Sequence, residues 1–319
     1  MQLADKLKRR LKLRDMDTLM AVARAGGMRK AAEALHMSQP AVSKAVAELE
    51  DALGVPLFDR SAQGVTPTLY GRALLRRGIA IFDELEQCAR EIAFLADPGV
   101  GELRLSCSET AAAGLVSAAI GQLTLRYPRI SFHLESASTP TSQEQYLRER
   151  TGEMIIVRTY QAIPAPDFNS EPLGFERLQV VVGKNSPWAR RRKMALADLA
   201  QEHWVLSQTE VEPGSPMFLA FADIGTGLPR SKVVSGSLNS RLSLLATGRF
   251  VTVMPDSFLN FGIDHLQIKV LPILLPKWSI ATSIITLKNR TLSPVASLFI
   301  DCARDLARQV LRTTGDTPA

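Results

Sequence analysis

The most restrictive feature of the sequence is a set of three short helical segments within about 40 residues near the N-terminus. Apolar residues in MDTLMAVARAGG follow helical spacing up to Gly26 and Gly27, and a second helix is predicted from Met28 to Leu35. A third helix follows the residues HMS, so the last two helices are joined by a turn of only three or four residues. This arrangement is typical of a helix-turn-helix.

The third helix lies in LHMSQPAVSKAVAELEDALG and has two unlike faces. One face is apolar and is expected to pack; it consists of Val42, Val46, Leu49 and Leu53. The other face carries short side chains and one cation, and consists of Pro40, Ser43, Lys44 and Ala47. Ser38 is expected to cap the helix. Such a face can enter a major groove, where Gln39 suits adenine and Lys44 suits guanine or phosphate. Periodicity alone is equally compatible with an ordinary surface helix.

The next segments predict a small hairpin and one long helix. VPLFDRSAQGVTPT is expected to form two short strands around a polar turn, as in a wing. A single helix is predicted from Leu69 to Ala96, ended by Asp97-Pro98-Gly99. We therefore expect a DNA-binding domain at 1–67, a linker helix at 68–99 and a further domain at 100–319. The linker helix carries more apolar residues than a hairpin could cover, so we expect it to pack against a partner helix. The alternative is that it packs on its own C-terminal domain. The apolar residues are Leu74, Leu75, Ile79, Ile81, Phe82, Leu85, Ile92 and Leu95.

The basic residues are concentrated in the same N-terminal region. The chain of 319 residues holds 38 Lys and Arg against 32 Asp and Glu. Residues 1–80 hold 14 basic and 8 acidic side chains, whereas residues 81–319 hold 24 of each. The whole positive excess therefore lies around the predicted helix-turn-helix, which favours a polyanionic partner for that unit. The run ARRRK at 189–193 is interpreted as a solvated surface.

Beyond residue 100 the sequence alternates between strand and helix patterns. GELRLSCS, ISFHLES, EMIIVR, RLQVVVG, HWVLSQ and RFVTVMP are among the predicted strands, with helical segments between most of them. This alternation predicts parallel βαβ units, and the length favours two α/β lobes with a cleft between them.

Polar residues at the ends of these strands are the candidate effector site. In open α/β lobes ligands bind beyond the carboxyl ends of the strands, where helix N-termini present free N–H groups. The candidate residues are Ser108, Thr110 and Ser138 in one lobe and Ser207, Gln208 and Thr209 in the other. Hydroxyls and N–H groups suit a small carboxylate, whereas Glu109 in the same turn leaves a neutral or cationic effector open. Each of these residues could equally be an ordinary helix cap.

The stretch AAEALHMSQPAVSKAVAELEDALGVPLFDR closely resembles the winged helix-turn-helix of the LysR-type transcriptional regulators. The resemblance continues through SAQGVTPTLYG and, more loosely, through PLGFERLQVVVGKNSPWARRRKMALADLA and SLLATGRFVTVMPDSFL. It implies an α/β fold with an N-terminal all-α winged helix-turn-helix. It also implies an effector domain of two Rossmann-like α/β subdomains, similar to periplasmic binding proteins and joined by two crossovers.

The resemblance also implies DNA contacts and partners. Major-groove contacts are assigned to Ser38, Gln39, Pro40, Ser43 and Lys44. Phosphate or minor-groove contacts are assigned to Arg29, Lys30, Arg60 and the wing turn near Gln63. The implied partners are double-stranded promoter DNA, a small-molecule effector, a second copy in a homodimer or homotetramer, and RNA polymerase. Two positions depart from the family pattern: Gly27 replaces a capping serine, and Ile155 replaces an aspartate.

Other classes of protein are less compatible with the sequence. It has no Walker loop, GxGxxG, HExxH or GxSxG motif, and its four histidines are scattered, so we expect no enzyme, no cofactor and no metal. The alternatives are a redox-sensing regulator using Cys107 and a small-molecule-binding α/β enzyme. The three cysteines lie far apart, and no run approaches the roughly 18 apolar residues of a membrane span. We therefore expect a cytoplasmic protein with no membrane partner.

Overall fold

The computed structural model describes residues 11–61, 64–136, 139–159, 166–261, 266–273, 275 and 280–311. The basic segment at residues 1–10 lies outside this set. By its internal contacts the chain divides into two compact units, residues 1–88 and residues 89–319.

The N-terminal unit contains the three predicted short helices followed by a two-stranded hairpin. These elements are α1 (Leu13–Ala25), α2 (Met28–Ala34), α3 (Gln39–Leu53), β1 (Phe58–Ser61) and β2 (Gly64–Pro67). Gly26 ends α1 and Gly54 ends α3, both in the left-handed conformation (φ 66° and 72°) that favours glycine. The apolar faces of the helices form one core around Leu19, Val22 and Val46, so the predicted helix-turn-helix is confirmed.

Helix α4 spans Leu69–Ala96, the limits that the sequence predicts. Thr68 begins it by accepting a hydrogen bond from the Gly71 N–H at 3.0 Å. Leu74, Leu75 and Phe82 lie partly buried against the core of the N-terminal unit. A second set of large apolar side chains on α4 is exposed and consists of Leu69, Tyr70, Ile81, Leu85, Ile92 and Leu95.

The second unit is built on two five-stranded sheets. The first contains β3 (Val100–Cys107), β4 (Arg129–Glu135), β5 (Met154–Thr159), β6 (Phe168–Glu176) and β12 (Ile280–Leu287), in the order β4-β3-β5-β12-β6. The second contains β7 (Leu178–Gly183), β8 (His203–Leu206), β9 (Lys232–Val234), β10 (Phe250–Pro255) and β11 (Ile268–Val270), in the order β11-β7-β10-β8-β9. Each sheet with its helices forms one subdomain, and the chain crosses between them twice, after β6 and after β11.

Helices cover both sheets. In the first subdomain these are α5 (Glu109–Ala111), α6 (Ser117–Arg126), α7 (Pro140–Arg148) and α12 (Pro294–Val310), with a π-helical segment at Ala112–Val116 between α5 and α6. In the second they are α8 (Gln208–Val211), α9 (Pro216–Asp223), α10 (Leu238–Ala246) and α11 (Asp256–Asn260), with 3-10 turns at Pro187–Arg190 and Leu196–Leu199. Each subdomain has a core of its own, one around Phe299 and one around Trp204.

The predicted parallel pairing is present in β3–β4 and β3–β5 of the first sheet and in β8–β9 and β8–β10 of the second, but each sheet also contains one antiparallel strand. In the first sheet β12 runs antiparallel to both of its neighbours, and in the second β7 runs antiparallel to both of its neighbours. These are the two strands by which the chain enters each sheet from the other subdomain. They follow a crossover rather than a helix of the same subdomain, so the rule for βαβ connections does not govern their direction.

Candidate functional site

The exposed surface of α3 is the candidate DNA-binding site. Ser38 caps the helix, its Oγ accepting a hydrogen bond from the Ala41 N–H at 3.4 Å. Gln39, Pro40 and Lys44 are exposed and Ser43 is half-buried. On the opposite side Val42, Val46 and Leu49 are buried, as predicted, whereas Leu53 is only partly buried against the same core. The face with short polar side chains, which the sequence indicates, is therefore exposed to solvent.

The other candidate DNA contacts lie on neighbouring elements of the same unit. Arg29 and Lys30 are exposed in the first turn of α2, and Arg60 is exposed on β1. Gln63 lies outside the described residues. Arg29 lies 3.8 Å from Glu33, and Lys44 lies 3.8 Å from Glu48. Both pairs are largely exposed, and such pairs contribute about 0–1 kcal/mol, so both cations remain available to phosphate.

Contacts that the sequence did not indicate hold the hairpin against the helices. The Val65 N–H donates to Gly26 O at 3.0 Å, which joins β2 to the turn after α1. A Cβ at Gly64 would lie 2.7 Å from Gly26 O, so only glycine allows this approach. Glu50 on α3 accepts a hydrogen bond from the Leu57 N–H at 2.7 Å. The hairpin, α1 and α3 therefore form one rigid surface.

The candidate effector residues lie at two strand ends that are built alike. After β3, the Ser108 Oγ accepts from the Ala111 N–H at 3.3 Å and lies 3.4 Å from the Thr110 Oγ1. After β8, the Ser207 Oγ accepts from the Glu210 N–H at 3.3 Å and lies 3.1 Å from the Thr209 Oγ1. Each subdomain thus places a Ser-x-Thr turn at a strand end.

The first turn contacts the second subdomain at a helix that begins near the second turn. The Glu109 carboxylate in the first turn accepts a hydrogen bond from the Leu238 N–H, the first residue of α10 in the other subdomain. The segment leading into α10 adjoins the second turn, because the Ser235 N–H donates to Leu206 O at 2.8 Å. Gln208 is exposed in that turn, and Ser138 lies outside the described residues.

A buried ion pair behind the second turn was missed in the sequence. Arg241 on α10 and Glu210 on α8 have 3% and 2% of their side chains exposed, with 3.1 Å between Nη2 and Oε2. Arg241 also donates to Val253 O at 2.7 Å and to the Thr252 Oγ1. Glu210 in turn accepts from the Ser207 N–H at 2.7 Å. The capping-box spacing of Ser207 and Glu210 was visible in the sequence, but the cation that fixes Glu210 was not.

Burial of Cys107 counts against its use as a redox sensor. It lies at the buried end of β3, and burial raises the pKa of its thiol to about 11. Only about one thiol in a thousand is then a thiolate at pH 8, and the thiolate is the reactive species. In the part of the chain that the structure describes, no three His, Cys, Asp or Glu side chains are grouped closely enough to hold a metal ion.

We expect a thiol reagent at pH 8 to leave Cys107 of the native protein unmodified, because this cysteine is buried. Mass spectrometry of tryptic peptides measures the modification. After denaturation Cys107 should react fully. Rapid oxidation of native Cys107 by peroxide would support redox sensing instead.

A winged helix-turn-helix joined to a two-subdomain α/β domain is the architecture of a DNA-binding regulator of transcription. The sequence model for the bacterial regulatory helix-turn-helix protein, lysR family, matches residues 13–72, and that for the LysR substrate binding domain matches residues 96–308. The chain belongs to the LysR family of transcriptional regulators, which confirms the resemblance found in the sequence.

Individual relatives agree with this family. The HTH-type transcriptional regulator YybE of Bacillus subtilis (strain 168) is 28% identical, over 89% of this chain and 95% of its own length. The regulator GbpR of Azospirillum brasilense is 27% identical, over 98% of this chain and 91% of its own. The solved structure of full-length CbnR complexed with its target DNA shares the fold, with a TM-score of 0.62 and 22% identity over 92% of this chain and 99% of that chain. Among the described residues no helix has both the length and the apolar character needed to cross a membrane.

Proposed function

We propose that the protein binds double-stranded promoter DNA with the N-terminal half of α3, and that an effector in the cleft changes this binding. The observation that carries the proposal is the division of α3 into two faces. Val42 and Val46 are buried, whereas Gln39, Pro40 and Lys44 are exposed at the start of the helix. A helix presented in this way fits a major groove, and its N-terminus directs free N–H groups toward phosphates.

The side chains of this face suit base recognition. The Gln39 amide can bond both N6 and N7 of adenine, and Lys44 can donate to guanine or phosphate. The Pro40 and Ala47 carbons can contact thymine methyl groups. Arg29, Lys30 and Arg60 would contact the backbone on either side. CbnR, which shares the fold, was solved in complex with its target DNA.

Replacing Gln39 with Ala is expected to relax base preference at one operator position and to cost about 1–3 kcal/mol of binding free energy. Replacing Arg29 with Ala should instead weaken binding to all DNA sequences alike and make the affinity less dependent on salt concentration. Both effects can be measured by fluorescence anisotropy on duplexes selected from fragments of the organism's own genome. Asp51→Asn, at an exposed position near the C-terminal end of α3, is the control and should leave base preference unchanged. Unchanged operator affinity in both variants at moderate salt would exclude this surface.

The cleft is proposed as the effector site because both sides end in hydroxyl groups. Ser108 and Thr110 on one side, and Ser207 and Thr209 on the other, can hydrogen-bond a small carboxylate, with Gln208 and Ser138 as further contacts. We propose that the functional form is a homodimer, assembling into a homotetramer, and that it also contacts RNA polymerase. We also propose a cytoplasmic location, which membership of a family of DNA-binding regulators supports.

For the effector site we expect Thr110→Val to weaken binding of any metabolite that the cleft holds by about tenfold, because one hydrogen bond is lost at nearly constant volume. Isothermal calorimetry of the full chain against a panel of small carboxylic acids measures this. The matched control is Thr141→Val, an exposed threonine on α7. A metabolite that binds both variants as tightly as the unsubstituted protein does not contact Thr110.

A further inference from the structure

The Glu109 side chain connects the two subdomains across the cleft. Glu109 opens α5 in the first subdomain, between Ser108 and Thr110. Its Oε2 accepts a hydrogen bond from the Leu238 N–H at the start of α10 in the second subdomain. This N–H is one of those that a helix leaves unpaired at its first turn, and the positive end of the helix dipole favours a carboxylate there. Within the described part of the chain, no cation pairs with Glu109.

Helix α10 is also fixed by the buried Arg241. One turn after Leu238, the Arg241 guanidinium donates to Glu210 and to Val253 O, and it is 3% exposed. Because the Ser207 N–H donates to the same Oε2 of Glu210, at 2.7 Å, the second Ser-x-Thr turn is tied to α10 through two side chains. A shift of α10 therefore moves Glu210 and, with it, the turn.

We propose that Glu109 is a latch that holds the two subdomains together in the absence of effector, and that Arg241 and Glu210 relay its release to the Ser207–Thr209 turn. The proposal rests on the proposed role of the cleft as the effector site. An effector that bonds the Ser108–Thr110 turn enters the space around Glu109, so binding there and the contact with Leu238 compete. Glu109 thus sets the resting position of α10.

The alternative is that Glu109 is a helix cap with only local effects. Both accounts expect the Leu238 amide to be protected from exchange with solvent. Only the latch expects the Ser207 amide, on another element and bonded to another carboxylate, to respond to Glu109. Only the latch also expects the spacing of the subdomains to change.

The test is hydrogen exchange of the full chain without ligand, read at single residues, for Glu109→Ala. We expect the Leu238 amide to exchange about tenfold faster and the Ser207 amide to exchange several-fold faster. The control is Glu144→Ala, which removes an exposed carboxylate of the same subdomain that lies 3.6 Å from Arg148. It should change neither amide. Faster exchange at Leu238 alone would reduce Glu109 to a local cap and overturn the proposal.

A distance measurement tests the subdomain spacing directly. With Cys88→Ser and Cys302→Ser in the background, spin labels are placed at the exposed positions Thr141 and Gln201. Labelled protein diluted with unlabelled chains then reports the distance between the subdomains of one copy. Glu109→Ala is expected to broaden or shift that distance distribution, whereas Glu144→Ala leaves it unchanged. An identical distribution in both variants would also overturn the latch. Both measurements need no effector, so the latch can fail while the cleft still binds a metabolite, and the cleft can prove empty while the latch stands.

Discussion

Replacing both Leu85 and Ile92 with lysine is expected to lower affinity for an operator of two half-sites by a factor of about 10² to 10⁴. Leu85 and Ile92 are 45% and 62% exposed on α4, and with Ile81 and Leu95 they form one stripe at helical spacing. Such a stripe indicates a partner helix, which we propose to be α4 of a second copy. Two buried lysines would prevent that pairing, and each monomer would then hold a single half-site.

Light scattering at micromolar concentration measures the loss of the dimer. Fluorescence anisotropy with the operator measures the loss of DNA affinity. The double variant should be a monomer that still binds a single half-site weakly. Ala73→Lys adds a charge at an exposed position of α4 outside the stripe and should leave the assembly intact. If the unsubstituted protein itself is a monomer at this concentration, the stripe does not pair two copies.

Arg241→Ala is expected to lower the free energy of unfolding of the effector domain by about 3–5 kcal/mol, because Glu210 is left buried without its cation. Arg241 also satisfies Val253 O and Thr252, which lose a donor in the variant. Urea unfolding followed by tryptophan fluorescence measures the loss, since Trp204 lies in the core of the same subdomain.

Two controls make this measurement specific. Arg304 pairs with Glu171 at the surface, where 39% and 41% of the two side chains are exposed. Arg304→Ala should therefore cost no more than about 1 kcal/mol. The double variant Arg241→Met with Glu210→Gln removes both buried charges and should recover much of the stability. A loss for Arg241→Ala as small as that for Arg304→Ala would show that the buried pair contributes little.

The helices were predictable wherever a sharp boundary accompanied a regular apolar pattern. Gly26 ends α1 as expected, and α4 keeps the predicted limits of Leu69 and Ala96. Strands β6 and β11 were not predicted as strands. Both lie at a sheet edge, β6 contains Pro172, and β11 has only three residues, so neither shows the alternation of a paired strand.

The geometry of the candidate sites was predictable only where it is local in sequence. Ser38 and Ser207 cap the helices that follow them, so their roles depend on three or four neighbouring residues. The bond from Leu238 to Glu109 joins residues 129 positions apart, and the bonds from Arg241 to Glu210 join residues 31 positions apart. The hydrophobic periodicity of the sequence does not indicate such contacts, because they form only when two subdomains and several helices have packed together.

The central claim is that α3 reads a specific DNA sequence. The most direct measurement compares the affinity of the full chain for a duplex selected from its own genome with that for a shuffled duplex, at physiological salt. We expect a ratio of at least about 10³, and a much smaller ratio for a variant in which Gln39 and Lys44 are both alanine. Equal affinity for the two duplexes, or an unchanged ratio in the variant, would contradict recognition by this helix.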